Sequence, residues 1–212
     1  MRLRKDGSGL VDVSAAPRGA RVGGFWEVWD VSGGLRGLGV LKRHLRPWLR
    51  KGTMTLLDVA AGTGEAALEL HAWAARRGTV LRLMLLDWRP ELLAIARERT
   101  GAVPGVALAL GDPRRLPFAG GQFDLVVCSG ALHQFAPAEA ALVLRELDRI
   151  TRRSWVAADL ERHPLTWGAA RSLTALRTYR AGEVRDLVRA AGVEAAVYRH
   201  FPFQLAVVPR RQ

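Results

Sequence analysis

From Thr53 onward, short apolar runs alternate with segments whose apolar residues recur at helical spacing. The apolar runs lack the alternation of a strand with one solvated face, so they are typical of a parallel sheet that helices cover on both sides. We therefore predict an α/β fold: a doubly wound, mostly parallel seven-stranded sheet with an antiparallel C-terminal edge strand. The strands are predicted over residues 54–59, 81–86, 106–110, 123–128, 154–158, 194–199 and 203–208.

Helix signals lie between these strands. Upstream of them, leucines three or four residues apart predict an amphipathic helix within 33–50 that packs on the domain. Residues 1–24 show no sustained period, and we interpret them as an arm or a loosely packed cover. We divide the chain into an N-terminal arm and covering helix, residues 1–50, and one domain, residues 51–212. Spacing and capping residues predict the other helices over 65–77, 91–99, 137–150 and 183–191.

Composition excludes several classes of protein. A chain of 212 residues that is 49% hydrophobic can bury a core and is too apolar for a disordered chain. No apolar run approaches the roughly 20 residues that span a bilayer, and no apolar segment follows the basic N-terminus. We therefore predict a cytoplasmic protein with no membrane span. The chain has a single cysteine, Cys128, which excludes an internal disulfide and a multi-cysteine zinc site, and we predict no metal. Cys128 itself is predicted to be a buried strand residue.

The charge balance suggests a nucleic-acid partner. The chain has 32 Lys and Arg against 20 Asp and Glu, a formal net charge of +12. However, nearly all the basic residues are arginines, and they are scattered where a nucleic-acid-binding tail would show a dense block. Arginine usage of this kind is also typical of GC-rich coding sequence. We therefore favour a small-molecule partner and keep nucleic acid as the alternative.

Three segments at predicted strand ends carry residues suited to a nucleotide-like ligand. Residues 57–64 (LDVAAGTG) lead from strand into turn into helix, and their glycines let the backbone approach a ligand closely. Asp87 ends the second strand, where a carboxylate can accept hydrogen bonds from both ribose hydroxyls. Asp112 follows the third strand, where a carboxylate can meet the amino group of an adenine. In an open α/β sheet such strand ends converge on one ligand-binding crevice.

The type of cofactor depends on Asp58. Gly62, Gly64 and Ala67 fit the dinucleotide fingerprint, which leaves a nicotinamide-dependent dehydrogenase as one alternative. A pyrophosphate at a helix start needs backbone donors and no nearby anion, whereas Asp58 places a carboxylate four residues before Gly62. A cofactor that carries an ammonium and a sulfonium suits that carboxylate better. We therefore predict S-adenosylmethionine as the cofactor.

The same segments resemble the class I S-adenosylmethionine-dependent methyltransferase family. Residues 56–64 (LLDVAAGTG) resemble its motif I, residues 85–87 (LLD) its ribose-binding acidic loop, and residues 111–129 (GDPRRLPFAGGQFDLVVCS) its adenine loop running into motif IV. Ala60 stands where the family usually has the first glycine of its triplet. The resemblance implies a Rossmann-like methyltransferase fold and a domain, residues 51–212, that binds S-adenosylmethionine.

The resemblance also implies a role for each cofactor-binding position. The methionine end would lie against the glycine turn, the ribose against Asp87, one adenine face against Trp88 and the exocyclic amine against Asp112. One of the next two residues would add a backbone contact, and the end of strand four would lie beside the sulfonium. The implied residues are Asp58, Ala60, Gly62, Gly64, Asp87, Trp88, Asp112, Pro113, Arg114, Ser129 and Gly130.

Motif IV narrows the acceptor by exclusion. Residues 128–131 (CSGA) lack the Asn/Asp-Pro-Pro-Tyr/Phe tetrad of enzymes that methylate amino groups, and also the Pro-Cys nucleophile of cytosine-C5 enzymes. Residues 132–135 (LHQF) resemble a Leu-His-His-Phe stretch of many small-molecule methyltransferases. His133 is thus the predicted catalytic base, needed only if the acceptor must lose a proton. The alternative for His133 is a structural histidine near the site.

The C-terminal third suggests an aromatic acceptor. Residues 154–165 (SWVAADLERHPL) resemble a bacterial subgroup linked with polyketide-like and phenolic lipid acceptors. Asp159 and His163 would face either the acceptor or the surface. The segment 165–183 is shorter than in that subgroup, which makes a non-catalytic descendant of the fold an alternative. The aromatic residues that would either line an apolar acceptor pocket or join the core are Phe25, Trp26 and Trp29.

We therefore predict an S-adenosylmethionine-dependent methyltransferase that acts on a small molecule, by O- or C-methylation of a phenolic or polyketide-like acceptor. The alternatives are an RNA-directed methyltransferase, which the charge of +12 favours, and the non-catalytic descendant. Because the cofactor carries the activated methyl group, the protein has mainly to align the acceptor and exclude water. We predict a monomer or a homodimer.

Overall fold

The computed structural model describes residues 37–162, 178–201 and 203–210. Seven strands form one sheet, which confirms the predicted α/β fold. The strands are β1 (Gly52–Val59), β2 (Thr79–Asp87), β3 (Val106–Leu110), β4 (Phe123–Ser129), β5 (Thr151–Leu160), β6 (Ala195–His200) and β7 (Gln204–Pro209). The helices are α1 (Leu38–Leu45), α2 (Glu65–Ala75), α3 (Pro90–Thr100), α4 (Pro137–Ile150) and α5 (Ala181–Ala191), with 3-10 turns over Arg46–Trp48 and Leu132–Gln134.

The strand order is β3-β2-β1-β4-β5-β7-β6. Strands β1 to β5 run parallel to one another, and β7 pairs antiparallel with both β5 and β6. The antiparallel strand lies one place in from the edge, because the short turn after β6 folds β7 back beside β5. Chain order reverses between β1 and β4, and this reversal leaves a crevice at the carboxyl ends of those two strands.

Helices cover both faces of the sheet. On one face, Leu56 of β1 belongs to a core that includes side chains from α1, α2 and α3. On the other face, the next residue, Leu57, belongs to a core with α4 and α5. Successive side chains of a strand point to opposite faces, so burial on both explains why β1 is apolar without alternation. Cys128 is buried in the second core, as predicted.

The observed elements differ from the predicted ones mainly at their ends. Strand β5 begins at Thr151, three residues before the predicted start, because Thr151 already pairs with Phe123 of β4; Arg152 and Arg153 lie in a bulge before the next pair, Ser154 with Leu125. These arginines are solvent-facing or partly exposed, so hydrophobicity does not reveal them as strand residues. The helix predicted within 33–50 is observed as α1 and a 3-10 turn, since Pro47 lacks the N–H that a continued α-helix needs.

Several predictions fall outside the described residues. They concern the arm over 1–24, His163, the part of the segment 165–183 that precedes residue 178, and the aromatic residues Phe25, Trp26 and Trp29. The division into residues 1–50 and 51–212 and the cytoplasmic location stay predictions. Among the helices that the structure describes, none combines the length and the apolar composition that crossing a membrane requires.

Candidate cofactor and acceptor site

The turn between β1 and α2 contains three residues in the left-handed region of backbone conformation. Ala60 has a φ of 61°, Gly62 of 56° and Gly64 of 81°. A Cβ on Gly64 would meet Leu85 Cδ1 at 3.1 Å, whereas a Cβ on Gly62 would meet no described atom within 4 Å. Gly64 therefore lets α2 start close against β2, and Gly62 leaves open space on the side of the turn where a ligand would approach.

Replacing Ala60 by glycine is expected to raise the free energy of unfolding by up to about 1 kcal/mol. The left-handed conformation costs an L-residue roughly 1–2 kcal/mol, and the greater freedom of glycine in the unfolded chain offsets roughly 0.4–1 kcal/mol of that. Urea unfolding at pH 7 measures the difference. Ala61→Gly is the matched control, since Ala61 has no positive φ and should lose stability. An Ala60→Gly variant less stable than wild type would contradict the strain.

Asp58 is a buried carboxyl group near the end of β1. Only 2% of the surface of Asp58 is exposed to solvent, and its Oδ2 has no hydrogen-bond partner among the described residues. Burial, together with the nearby charge of Asp87, raises the pKa of Asp58 to about 8. A buried polar atom without a partner costs free energy. A cation delivered by a ligand would supply that partner and stabilise the ionised form.

Asp87, at the end of β2, connects the glycine turn to the start of α3. The Gly62 N–H donates to its Oδ2 at 2.9 Å, and the Arg89 N–H donates to its Oδ1 at 3.0 Å. The Arg89 guanidinium also donates to both oxygens, at 2.9 and 3.0 Å, and lies 4.4 Å from the centre of the Trp88 ring. Arg89 thus engages the predicted ribose acceptor and the predicted adenine platform together. A ribose bound through Asp87 would have to displace that guanidinium.

Asp112 lies in the loop between β3 and β4, beside the buried Pro113. Its Oδ1 accepts the Arg114 N–H at 2.8 Å, and the Arg114 guanidinium pairs with both Asp112 and Glu139. Hydrogen bonds from Arg114 hold the pKa of Asp112 below its ordinary value. Glu139 also accepts the Ala136 N–H at the start of α4. Asp112 is therefore an ionised, partly exposed acceptor that α4 holds in place.

Ser129 and Gly130 lie where β4 ends beside β5. Ser129 pairs with Ala158, whose carbonyl accepts the Gly130 N–H at 2.8 Å. A Cβ on Gly37, directly before α1, would come within 3.1 Å of the Ala158 Cβ and 3.4 Å of the Ser129 Oγ. The start of the covering helix therefore packs closely against the residues predicted to lie beside the sulfonium.

His133 lies in the 3-10 turn after β4 and pairs with Asp159 of β5. Its Nδ1 is 2.8 Å from Asp159 Oδ1, and its backbone N–H donates to Oδ2 at 2.9 Å. Both side chains are largely buried, with exposed fractions of 2% and 8%. The predicted base is thus held at the edge of the crevice by a carboxylate of the neighbouring strand.

Two further residues shape the site although no motif singles them out. Arg89 directly precedes Pro90 at the start of α3, and Glu139 is the third residue of α4. Charged residues at helix starts often contact nearby backbone or side-chain groups. Their position at a helix start is the only local sequence signal that could have pointed to Arg89 and Glu139. Cys128 takes no part as a nucleophile, because burial, reinforced by the charge of Asp159, raises the pKa of its thiol.

The sequence is similar to known methyltransferases. Residues 56–154 match the family model of the methyltransferase domain. The demethylmenaquinone methyltransferase of Deinococcus radiodurans is 35% identical over 82 residues, which are 38% of this chain and 32% of that one. The demethylmenaquinone methyltransferase of Staphylococcus aureus is 29% identical over 113 residues, 53% and 44% of the two chains. The chain thus spans less than half the length of these curated relatives.

The fold is likewise shared with a solved structure. A SAM-dependent methyltransferase from Aquifex aeolicus superposes with a TM-score of 0.65 at 17% identity, over 87% of this chain and 96% of that chain. At this identity the likeness shows the fold alone, a Rossmann-like methyltransferase architecture. The central segment, residues 56–154, thus matches a methyltransferase domain, and the chain shares the Rossmann-like fold of a solved SAM-dependent methyltransferase.

Proposed function

We propose that this protein is an enzyme that transfers a methyl group from S-adenosylmethionine to a small-molecule acceptor. The observation that carries the proposal is Asp58, a buried carboxyl group at the point where strand order reverses, whose Oδ2 has no partner in the part of the chain that the structure describes. Buried polar atoms in stable folds nearly always have partners. The ammonium of this cofactor is a partner of the right charge, and the open side of the glycine turn leaves room for it.

The residues at the strand ends fit this cofactor. Asp58 would hold the ammonium, and Asp87 would hold the ribose once Arg89 moves aside. Gly62 and Gly64 would line the methionine end. The other residues proposed to contact the cofactor are Ala60, Trp88, Asp112, Pro113, Arg114, Ser129 and Gly130. When bound, S-adenosylmethionine supplies an electrophilic methyl group, and the chain itself contributes binding, orientation and exclusion of water.

We propose an aromatic acceptor of the phenolic or quinone type, methylated on oxygen or carbon. The relatives from Deinococcus and Staphylococcus are named for demethylmenaquinone, which supports an acceptor with a quinone ring. Phe135 follows two residues after His133, and its ring centroid lies 5.4 Å from that of Trp88. An aromatic side chain next to the proposed base suits a flat apolar ring. His133 is proposed as the base that accepts a proton from the acceptor.

The arginines near the crevice argue for a small acceptor over RNA. Arg89 is paired with Asp87, and Arg114 is paired with Asp112 and Glu139. Pairing with carboxylates offsets the positive charge that would attract a phosphate backbone. Although the net charge is +12, Arg89 and Arg114 therefore do not form a basic surface at the proposed active site.

Calorimetric titration with S-adenosylmethionine and transfer of a radiolabelled methyl group test the proposal. The acceptors are dithionite-reduced 1,4-naphthoquinone, catechol and a single-stranded RNA oligonucleotide. We expect cofactor binding and label in an aromatic product. Label only in RNA would favour the RNA-directed enzyme, and binding without any transfer would favour the non-catalytic descendant. Absence of cofactor binding would overturn the proposal. Size-exclusion chromatography decides between monomer and homodimer.

A further inference from the structure

Asp159 makes three hydrogen bonds that hold both His133 and its own strand end. Its Oδ1 is 2.8 Å from His133 Nδ1 and accepts the Leu160 N–H at 2.7 Å. Its Oδ2 accepts the backbone N–H of His133 at 2.9 Å. One carboxylate therefore contacts both the backbone and the ring of His133, which fixes the position and the orientation of the imidazole at once.

This geometry determines where the ring proton lies. An ionised carboxylate only accepts hydrogen bonds, so the Nδ1 that faces Asp159 carries the proton. In a neutral imidazole the lone pair then lies on Nε2. A histidine that serves as a base through Nε2 needs this tautomer, and the negative charge of the carboxylate stabilises the imidazolium that forms when Nε2 takes up a proton.

We infer that Asp159 is a positioning residue that holds His133 in the Nδ1–H tautomer, so that Nε2 accepts a proton from the methyl acceptor. The inference rests on the proposed function for the identity of that acceptor. The step is a proton transfer alone. The O–H bond of the acceptor breaks, both of its electrons stay on oxygen, and the proton binds the Nε2 lone pair. The resulting oxyanion is the stronger nucleophile.

The location of the pair supports this role. Gly130 directly follows β4, and His133 comes three residues later. Asp159 lies near the end of β5, the neighbouring strand. Both are therefore on the β4 side of the crevice, opposite Asp87 on the β2 side. A base on that side would serve an acceptor without occupying the residues proposed to hold adenosine. Burial of the pair also excludes water that would compete for the proton.

The decisive first measurement uses the wild-type protein. Long-range ¹H–¹⁵N spectra of protein labelled on histidine separate the two neutral tautomers, and a His133→Gln variant assigns the signal among the five histidines. We expect a single Nδ1–H tautomer for His133 at pH 7.5. A predominant Nε2–H tautomer would overturn the inference. This result does not depend on methyl transfer, so it stands even if the proposed function fails.

The second measurement uses Asp159→Asn, which keeps the shape and removes the charge. One amide oxygen cannot serve all three donors, so we expect the uniform Nδ1–H signal to be lost. With reduced 1,4-naphthoquinone as acceptor, kcat should fall roughly 10²–10⁴-fold while KM changes little. Cofactor affinity should stay within about threefold of wild type, because Asp159 is placed on the acceptor side.

Two further variants separate positioning from general destabilisation. Asp159→Glu keeps the charge and should recover part of kcat, and the exposed Asp186→Asn should leave kcat unchanged. An Asp159→Asn variant that folds, binds the cofactor and keeps the kcat of wild type would overturn the inference. A wild-type protein that neither binds nor uses S-adenosylmethionine would overturn the proposed function instead.

Discussion

An Asp58→Asn variant is expected to bind S-adenosylmethionine roughly 100-fold more weakly than wild type, because a neutral amide replaces the charge that would pair with the cofactor's ammonium. The same variant is expected to be the more stable protein at pH 8 when no cofactor is present. These opposite effects distinguish a residue selected for a ligand from one selected for the fold. A purely structural carboxyl group would lose stability on the same substitution.

The sign of the stability effect follows from the pKa. Burial and the charge of Asp87 raise the pKa of Asp58 to about 8 from its ordinary value of 3.8. Between those two values the folded protein keeps a proton that the unfolded chain has lost, so the free energy of unfolding falls as pH rises. Above the folded-state pKa the carboxyl group is ionised and buried, and its Oδ2 has no hydrogen-bond partner among the described residues. Asparagine cannot ionise and removes this slope.

Urea unfolding from pH 6.5 to 8.5 measures the slope for both proteins. His44 and His200 have lowered pKa values in the folded protein, and their contribution to the slope is the same in both proteins, so it cancels in the comparison. Calorimetry in buffers of different ionisation enthalpy should also show uptake of a proton by the buffer when the cofactor binds to wild type at pH 7, because Asp58 ionises. Asp186→Asn, on the exposed side of α5, is the control. Equal slopes in wild type and Asp58→Asn would contradict the assignment.

Replacing Arg89 by alanine is expected to tighten cofactor binding roughly 10-fold, since the bound ribose no longer competes with a bidentate guanidinium for Asp87. The free protein should become less stable, because the fully buried Asp87 carboxylate loses its paired cation. The Trp88 face that the guanidinium covers would also become available to an adenine ring. Arg89 thus balances the charge of Asp87 at the expense of ligand affinity.

Calorimetric titration of Arg89→Ala and thermal unfolding without cofactor test both effects. Arg82→Ala is the matched control, because Arg82 is an exposed arginine of the same strand, β2, at its opposite end. We expect the control to change neither property. Weaker cofactor binding by Arg89→Ala would show that the guanidinium belongs to the binding site and does not compete with the ribose.

Local patterns were sufficient to predict most of the fold. The alternation of apolar runs and helical segments predicted all seven strands, because strands buried on both faces must be apolar without interruption. The same patterns predicted that Asp58 and Asp87 would lie close together, since parallel strands end at one edge of the sheet. Strands β1 and β2 pair in parallel with Asp58 beside Leu85, two residues before Asp87, so the two carboxyl groups do lie at one edge of the sheet. The early start of β5 was not predicted, because it depends on the pairing of Thr151 with Phe123 across a bulge that contains Arg152 and Arg153.

Other features depend on contacts that no local pattern encodes. The partner of His133 is 26 residues away on the next strand, and the ring orientation follows from the register between β4 and β5. The bidentate contact of Arg89 with Asp87 depends on the rotamer of one long side chain, whose guanidinium also lies over the Trp88 ring. A sequence shows which side chains can form a hydrogen bond or an ion pair, but distance and desolvation decide which of them do.

By itself, the sequence determined the α/β class, the position of the glycine turn and the carboxylates at the strand ends, because each follows from periodicity and from the shared edge of parallel strands. Only the tertiary structure decided that Asp58 Oδ2 is left without a hydrogen-bond partner among the described residues, that Arg89 engages Asp87, and that Asp159 contacts the ring of His133. These properties arise from burial and from contacts between separate strands and loops. They exist only once the chain has folded.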